Sequence, residues 1–182
     1  MNDEASQNDS EIKDGRPVQE YSRAQQIINN VPYAIMAVLG ASVLVAGFEK
    51  PALGWISGIA YFLYCVAGSF WIMIFVCPYC ERYDTMCCPC GYGRIAAKLR
   101  QFKDADRFKE KFRKHIPVIV PLWFIPVVAG VVFAIRSFSW LMVILLVIFV
   151  LDAFVVLPLF STKHGCSDCP QRESCPWMGP KD

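Results

Sequence analysis

Histidine is scarce in this sequence: there are two, His115 and His164, and neither lies inside one of the long apolar stretches. Axial haem ligation within a helical bundle needs histidines at the depth of the haem, so a b-type cytochrome is excluded. Charge is almost missing from four blocks, residues 31–48, 53–76, 116–135 and 139–160, and collects instead in 1–23, 81–114 and 161–182. Those blocks also lack the period-two or period-3.6 alternation that sets a dry face against a wet one, which excludes an ordinary soluble enzyme. The first 30 residues are polar and acidic, with no basic start leading into a short apolar core and a small-residue cleavage site, so no cleaved secretory signal is expected.

What is present is apolar length. Of 182 residues, 55% are hydrophobic, and each block approaches the roughly 17–25 residues that a helix needs to cross a hydrocarbon core. The expected fold is therefore an all-α integral membrane protein: a four-transmembrane-helix bundle with a small Cys-rich, metal-binding cytoplasmic cap. Four spans place the N-terminus, the 77–116 segment and the C-terminal tail on one side, leaving the Glu49-Lys50 and Arg136-Ser137 turns on the other. The middle segment carries ten Lys and Arg residues, whereas each opposite turn carries one. The positive-inside rule then predicts a multi-pass protein of the cytoplasmic membrane with both termini cytoplasmic. The chain divides into an acidic tail (1–20), an interfacial segment with the first two spans (21–76), a Cys-rich loop with basic amphipathic helices (77–116), the last two spans (117–160) and a Cys-rich tail (161–182).

Residues 1–20 hold six acidic groups against Lys13 and Arg16 with little apolar anchor, and are read as disordered. Residues 21–30 suit a short interfacial helix running into the first span near Pro32. Gly54 and Gly58 open the second span with a small-x3-small spacing that permits close helix contact. In the third span Pro117 suits a helix start, while Pro126 removes an interior hydrogen bond and predicts a kink. Between 91 and 116 the apolar residues change face, Ile95, Leu99 and Phe102 on one and Phe108 and Phe112 on another. With Asp104 as an N-cap, this predicts two short basic helices along the lipid headgroups. Membrane lipid is the nearest polyanion, so no nucleic-acid partner is expected.

Eight of the nine cysteines fall in two clusters. The first reads Cys77-Pro-Tyr-Cys80, six residues, then Cys87-Cys88-Pro-Cys90-Gly91; the second reads His164-Gly-Cys166-Ser-Asp-Cys169, five residues, then Cys175-Pro176. Cys65, alone in the second span, reads as a small buried hydrophobe. A reducing cytoplasmic side argues against structural disulfides, and C-x2-C spacing lets two thiolates converge on one ion from a tight turn. Eight thiolates make two sets of four, for two zinc ions or one or two [4Fe-4S] clusters. One partition joins Cys77, Cys80, Cys87 and Cys90 and leaves Cys88 to complete Cys166, Cys169 and Cys175. Another leaves Cys88 free and takes His164 as the tail's fourth ligand. The C-P-x-C and C-P-C-G phrases favour zinc, but compact C-x2-C runs and the terminal Cys175-Pro176 have an iron-sulfur cadence, and iron-sulfur is favoured.

Asp152 is the one ionisable side chain deep inside a predicted span. An ionised acid at mid-membrane costs at least ~2.5 kcal/mol, which makes it a candidate for a proton relay or a quinone site, with a structural hydrogen bond to Ser69 as the alternative. In helix count and paired cysteines the chain resembles, in outline, the disulfide-generating quinone reductases and the vitamin K epoxide reductase-like proteins. Their working cysteines face the oxidising side, whereas both clusters here share the basic side, and no residue is carried over. The expected function is to hold a Cys-ligated cofactor at the membrane face, as an electron-transfer subunit or an anchor for a cytosolic or membrane redox partner. A zinc-stabilised scaffold and a dithiol oxidoreductase are the alternatives.

Overall fold

The computed structural model describes residues 20–166 together with Cys169, Gln171, Arg172 and Cys175. The acidic stretch expected to be disordered lies, apart from Glu20, outside the described residues, as does Pro176. Among the described residues the chain is all helical, with four helices long and apolar enough to cross a membrane.

The first, α1 (Arg23–Gly47), starts at a capping box: the Ser22 hydroxyl accepts from the Gln25 backbone, and the Gln25 side chain accepts from the Ser22 backbone at 2.8 Å. The helix runs unbroken through Pro32, so the expected interfacial segment is its first two turns. The second, α2 (Pro51–Phe75), begins with Pro51 in its first turn, where a missing N–H costs nothing. Gly54 and Gly58 do serve packing. A Cβ on Gly54 would stand 2.5 Å from the Val45 carbonyl oxygen, and one on Gly58 would stand 3.1 Å from that of Ala41, so the two backbones meet where side chains would part them.

Two short helices, α3 (Tyr92–Leu99) and α4 (Phe108–His115), bridge to the second helix pair. Their break falls where the apolar face changes, and the Asp104 carboxylate accepts from the Asp106 backbone at 3.1 Å to start the 3-10 turn leading into α4. A 3-10 turn at Ile116–Val118 precedes α5 (Pro121–Arg136). The last span joins α6 (Trp140–Leu151) and α7 (Leu157–Ser161) through a π-helical turn at Asp152–Val156, with a second at Thr162–Cys166. Consecutive spans run antiparallel. At one end Phe48 packs on Phe133 with centroids 4.9 Å apart; the other end carries the cysteine-rich cap.

Met36, Ala37, Tyr61, Cys65, Leu122, Phe149 and Ala153 form the core between the spans. Pro126 has no N–H, so the carbonyl of Leu122 lacks its helical partner. The Tyr61 hydroxyl donates to that oxygen at 2.8 Å, tying α2 to α5 inside the core. Tyr61→Phe keeps the ring and leaves the carbonyl orphaned, an expected loss of ~1–3 kcal/mol. Reversible unfolding of the purified protein in mixed micelles measures this, and an unchanged midpoint would show that the bond contributes nothing.

Candidate metal centre

Three chain segments meet at the cap. The 3-10 turn Cys77–Tyr79 carries the first thiols off the end of α2, closed by the Cys80 N–H to the Cys77 carbonyl at 3.0 Å. The second turn of that cluster ends at Gly91, which holds the left-handed region at φ 72°. A Cβ there would be strained in any case and would meet the Gln26 side chain at 2.9 Å. The first turns of α1 grip this loop from outside. Gln26, Asn29 and Asn30 donate side-chain amide hydrogens to the carbonyls of Cys88 (3.2 Å), Pro89 (2.9 Å) and Cys90 (3.0 Å). Three consecutive carbonyls of an irregular loop are thereby satisfied without secondary structure.

The tail docks on the same loop. Gln171, 5% exposed, donates to the carbonyl of Tyr79 at 3.2 Å and accepts from the Glu81 backbone at 3.4 Å. The Tyr21 hydroxyl donates to the His164 carbonyl at 2.7 Å, joining the start of α1 to the end of the last span. The Lys103 N–H donates to the Pro78 carbonyl at 2.8 Å, folding the α3–α4 connector back over the first turn. The two cysteine clusters therefore belong to one cap.

All eight clustered cysteines are free and partly buried. Seven of them influence one another electrostatically. Cys77 lies near Cys80, Cys88 and Cys90; Cys80 lies near Cys169; Cys90 lies near Cys166; and Cys166 and Cys169 both lie near Cys175. Burial, reinforced by neighbouring thiols, pushes Cys80 and Cys90 up to about 12. Cys169 is also raised, chiefly by burial, against the backbone amide of Gln171 donating to its sulfur. The Arg82 amide stands in the same relation to Cys80. Each is the second cysteine of a C-x2-C pair bonded by the amide two residues on, an arrangement that favours thiolate. Cys88 has an amide of its own, the Gly93 N–H at 3.4 Å from its sulfur. Arg82, 6% exposed, donates to the Cys87 carbonyl at 2.9 Å, and its charge reaches Cys80, Cys166 and Cys169.

The eighth clustered cysteine, Cys87, holds Arg82 through its carbonyl. His164 is exposed, and its ring packs tilted against Phe160 with centroids 4.5 Å apart. Among the described residues no three His, Cys, Asp or Glu side chains stand close enough together to share one ion. The donor chemistry suits a thiophilic metal, the sulfurs are gathered and partly desolvated, and they are not drawn into a closed ligand set.

Asp152 is buried at 7% exposure, and its Oδ2 has no hydrogen-bond partner among the described residues. It opens the π turn, its carbonyl accepting from the Leu157 N–H. The alternative hydrogen bond to Ser69 is not what this serine makes: its hydroxyl donates to the Cys65 carbonyl at 3.3 Å. Sequence reasoning missed Arg82, Gln171 and the Gln26, Asn29 and Asn30 clamp. The signal available was a run of amides placed just ahead of an apolar span.

Compared with known proteins, the chain matches no family model, no curated protein and no solved structure.

Proposed function

We propose that the protein is a membrane-embedded electron-transfer or redox-anchoring subunit whose cap binds Cys-ligated metal, an iron-sulfur cluster in preference to zinc, at the cytoplasmic face. The observation that carries this is the gathering of seven thiols from two distant chain segments, three of them beside a buried arginine. Four-thiolate metal sites are anionic, and Arg82 puts a fixed positive charge beside three of those sulfurs. Cys77, Cys80, Cys88 and Cys90 would supply one set, with Cys166, Cys169 and Cys175 facing them from the tail. Ligand formation draws these sulfurs inward and displaces their protons. When bound, an iron-sulfur cluster would supply one-electron chemistry. The chain's own part is to desolvate the thiols, donate amide hydrogens to sulfur, and hold Arg82 in place.

A dithiol oxidoreductase needs a thiol whose acidity is increased. Cys80, Cys90 and Cys169 are all pushed the other way by burial, which argues against that alternative. Zinc keeps a specific observation in its favour: the amide-to-sulfur bonds in the C-x2-C turns and the left-handed Gly91 that ends one of them. Metal content and the absorption spectrum of protein purified without oxygen test the proposal; iron with visible charge-transfer bands supports it, and protein with no bound metal overturns it.

Orientation follows from the basic residues of α3, α4 and their connector, all on the cap side. A membrane-impermeant maleimide applied outside intact cells after chelation is expected to leave Cys166 unlabelled. Strong labelling would place the cap on the outer face and revive the thiol-oxidase alternative.

A further inference from the structure

A cavity of about 190 Å³ lies beneath the cap, where α1, α2, α5 and α7 come together, and Cys90 forms part of its wall. That volume is well short of the roughly 300–1,000 Å³ of sites that engulf a drug-sized ligand, so it holds one ring and leaves any tail outside. Its lining is mainly apolar, with aromatic rings from Tyr33, Tyr92 and Trp123. Polar groups stand among them. The Ser69 and Tyr33 hydroxyls both donate to the Cys65 carbonyl, at 3.3 and 2.8 Å. Asn29 gives one amide hydrogen to the Pro89 carbonyl at 2.9 Å and has a second to give, and Ser161 offers a hydroxyl from α7. Acyl chains need no donors; a ring bearing carbonyl acceptors does.

Resting on the redox reading of the cap, we infer that this cavity binds the ring of a lipid-soluble quinone, with its carbonyls toward Asn29 and Ser161 and its face against Tyr33, Tyr92 and Trp123. Three features select that class. The site is ringed by helices long and apolar enough to lie in a membrane; its donors meet acceptors on a small planar ring; and its wall includes Cys90, a residue of the proposed metal set. Asp152 is not part of the lining. It sits one helical turn further from the cap than Leu157, which is, so its expected part in quinone binding is not direct contact.

The test uses the full-length protein in lipid nanodiscs, with a decyl-tailed benzoquinone as probe and tryptophan quenching as readout. Saturable quenching is expected. Ser161 is exposed, so Ser161→Trp plugs the cavity from a position that tolerates bulk, and should weaken binding by about tenfold or more. On the unmutated protein, a decyl-cyclohexane without carbonyls should fail to compete. Absence of saturable quenching, undiminished binding in Ser161→Trp, or equal competition by the cyclohexane would each overturn the quinone site. Metal content of the same preparation is read separately. Quinone binding to metal-free protein would uphold the cavity while the redox reading of the cap fell, and metal-loaded protein that ignores the quinone would do the reverse.

Discussion

Protein purified without oxygen is expected to be brown, with about four to eight irons per chain if one or two cubane clusters are held. Thiolates bind zinc and iron-sulfur clusters alike, but only the cluster absorbs in the visible and becomes paramagnetic in one of its oxidation states. The arrangement of the cap narrows the number. In the proposed site Cys77, Cys80, Cys88 and Cys90 would make up one set of four, whereas the tail brings three thiols, Cys166, Cys169 and Cys175, with His164 turned onto Phe160. One complete set puts the expectation nearer four irons than eight. Iron analysis, the absorption spectrum and paramagnetic resonance of the dithionite-reduced protein measure it. Colourless protein with about one or two zinc ions would sink electron transfer and leave a scaffold in which Asp152 is structural.

The bundle was legible in the sequence because each span writes itself in composition: a block of about twenty apolar residues has few alternatives once hydrogen bonding must be internal. The two cap helices were legible for a similar reason, since Ile95 and Leu99 change face relative to Phe108 and Phe112 across the Asp104 turn. Contacts between distant segments were not. Nothing in the spacing around Pro126 announces that Tyr61, 61 residues earlier, will cap the Leu122 carbonyl. The π turn at Asp152 was also hidden, because one extra residue in a helical turn leaves an all-apolar pattern unchanged. The cavity has the same origin: its walls come from four spans and the cap, and each contributes residues that look ordinary in their own segment. Within the first cysteine cluster, counting residues paired Cys87 with Cys90, since that choice makes a second C-x2-C. The cap adds what spacing lacks: Cys88 neighbours Cys77, Cys80 and Cys90, and its sulfur takes the Gly93 amide in a turn shaped by Gly91 and by the Gln26 and Asn30 amides.

That difference leads to the largest mutational contrast. Cys88→Ser is expected to abolish metal retention by the first thiol set, whereas Cys87→Ser, one residue away, should leave metal content intact. Cys88 stands near Cys77, Cys80 and Cys90, and the Gly93 amide already directs a hydrogen at its sulfur, 3.4 Å away. A serine hydroxyl at this position is a poor ligand for a thiophilic metal. Metal binding by such sites is worth on the order of 10 kcal/mol and is coupled to folding, so losing one of four donors releases both the ion and the order it imposes. The tail should then loosen from the loop, since Gln171 and Tyr21 hold it by a few hydrogen bonds. Limited proteolysis should cut the Cys88→Ser chain after residue 161 at protease concentrations that leave Cys87→Ser whole. Cys169→Ser tests the tail's side of the same cap and should also lose metal. Loss in Cys87→Ser as complete as in Cys88→Ser would support the pairing that spacing suggested, and full metal retention in Cys88→Ser would remove this thiol from the ligand set.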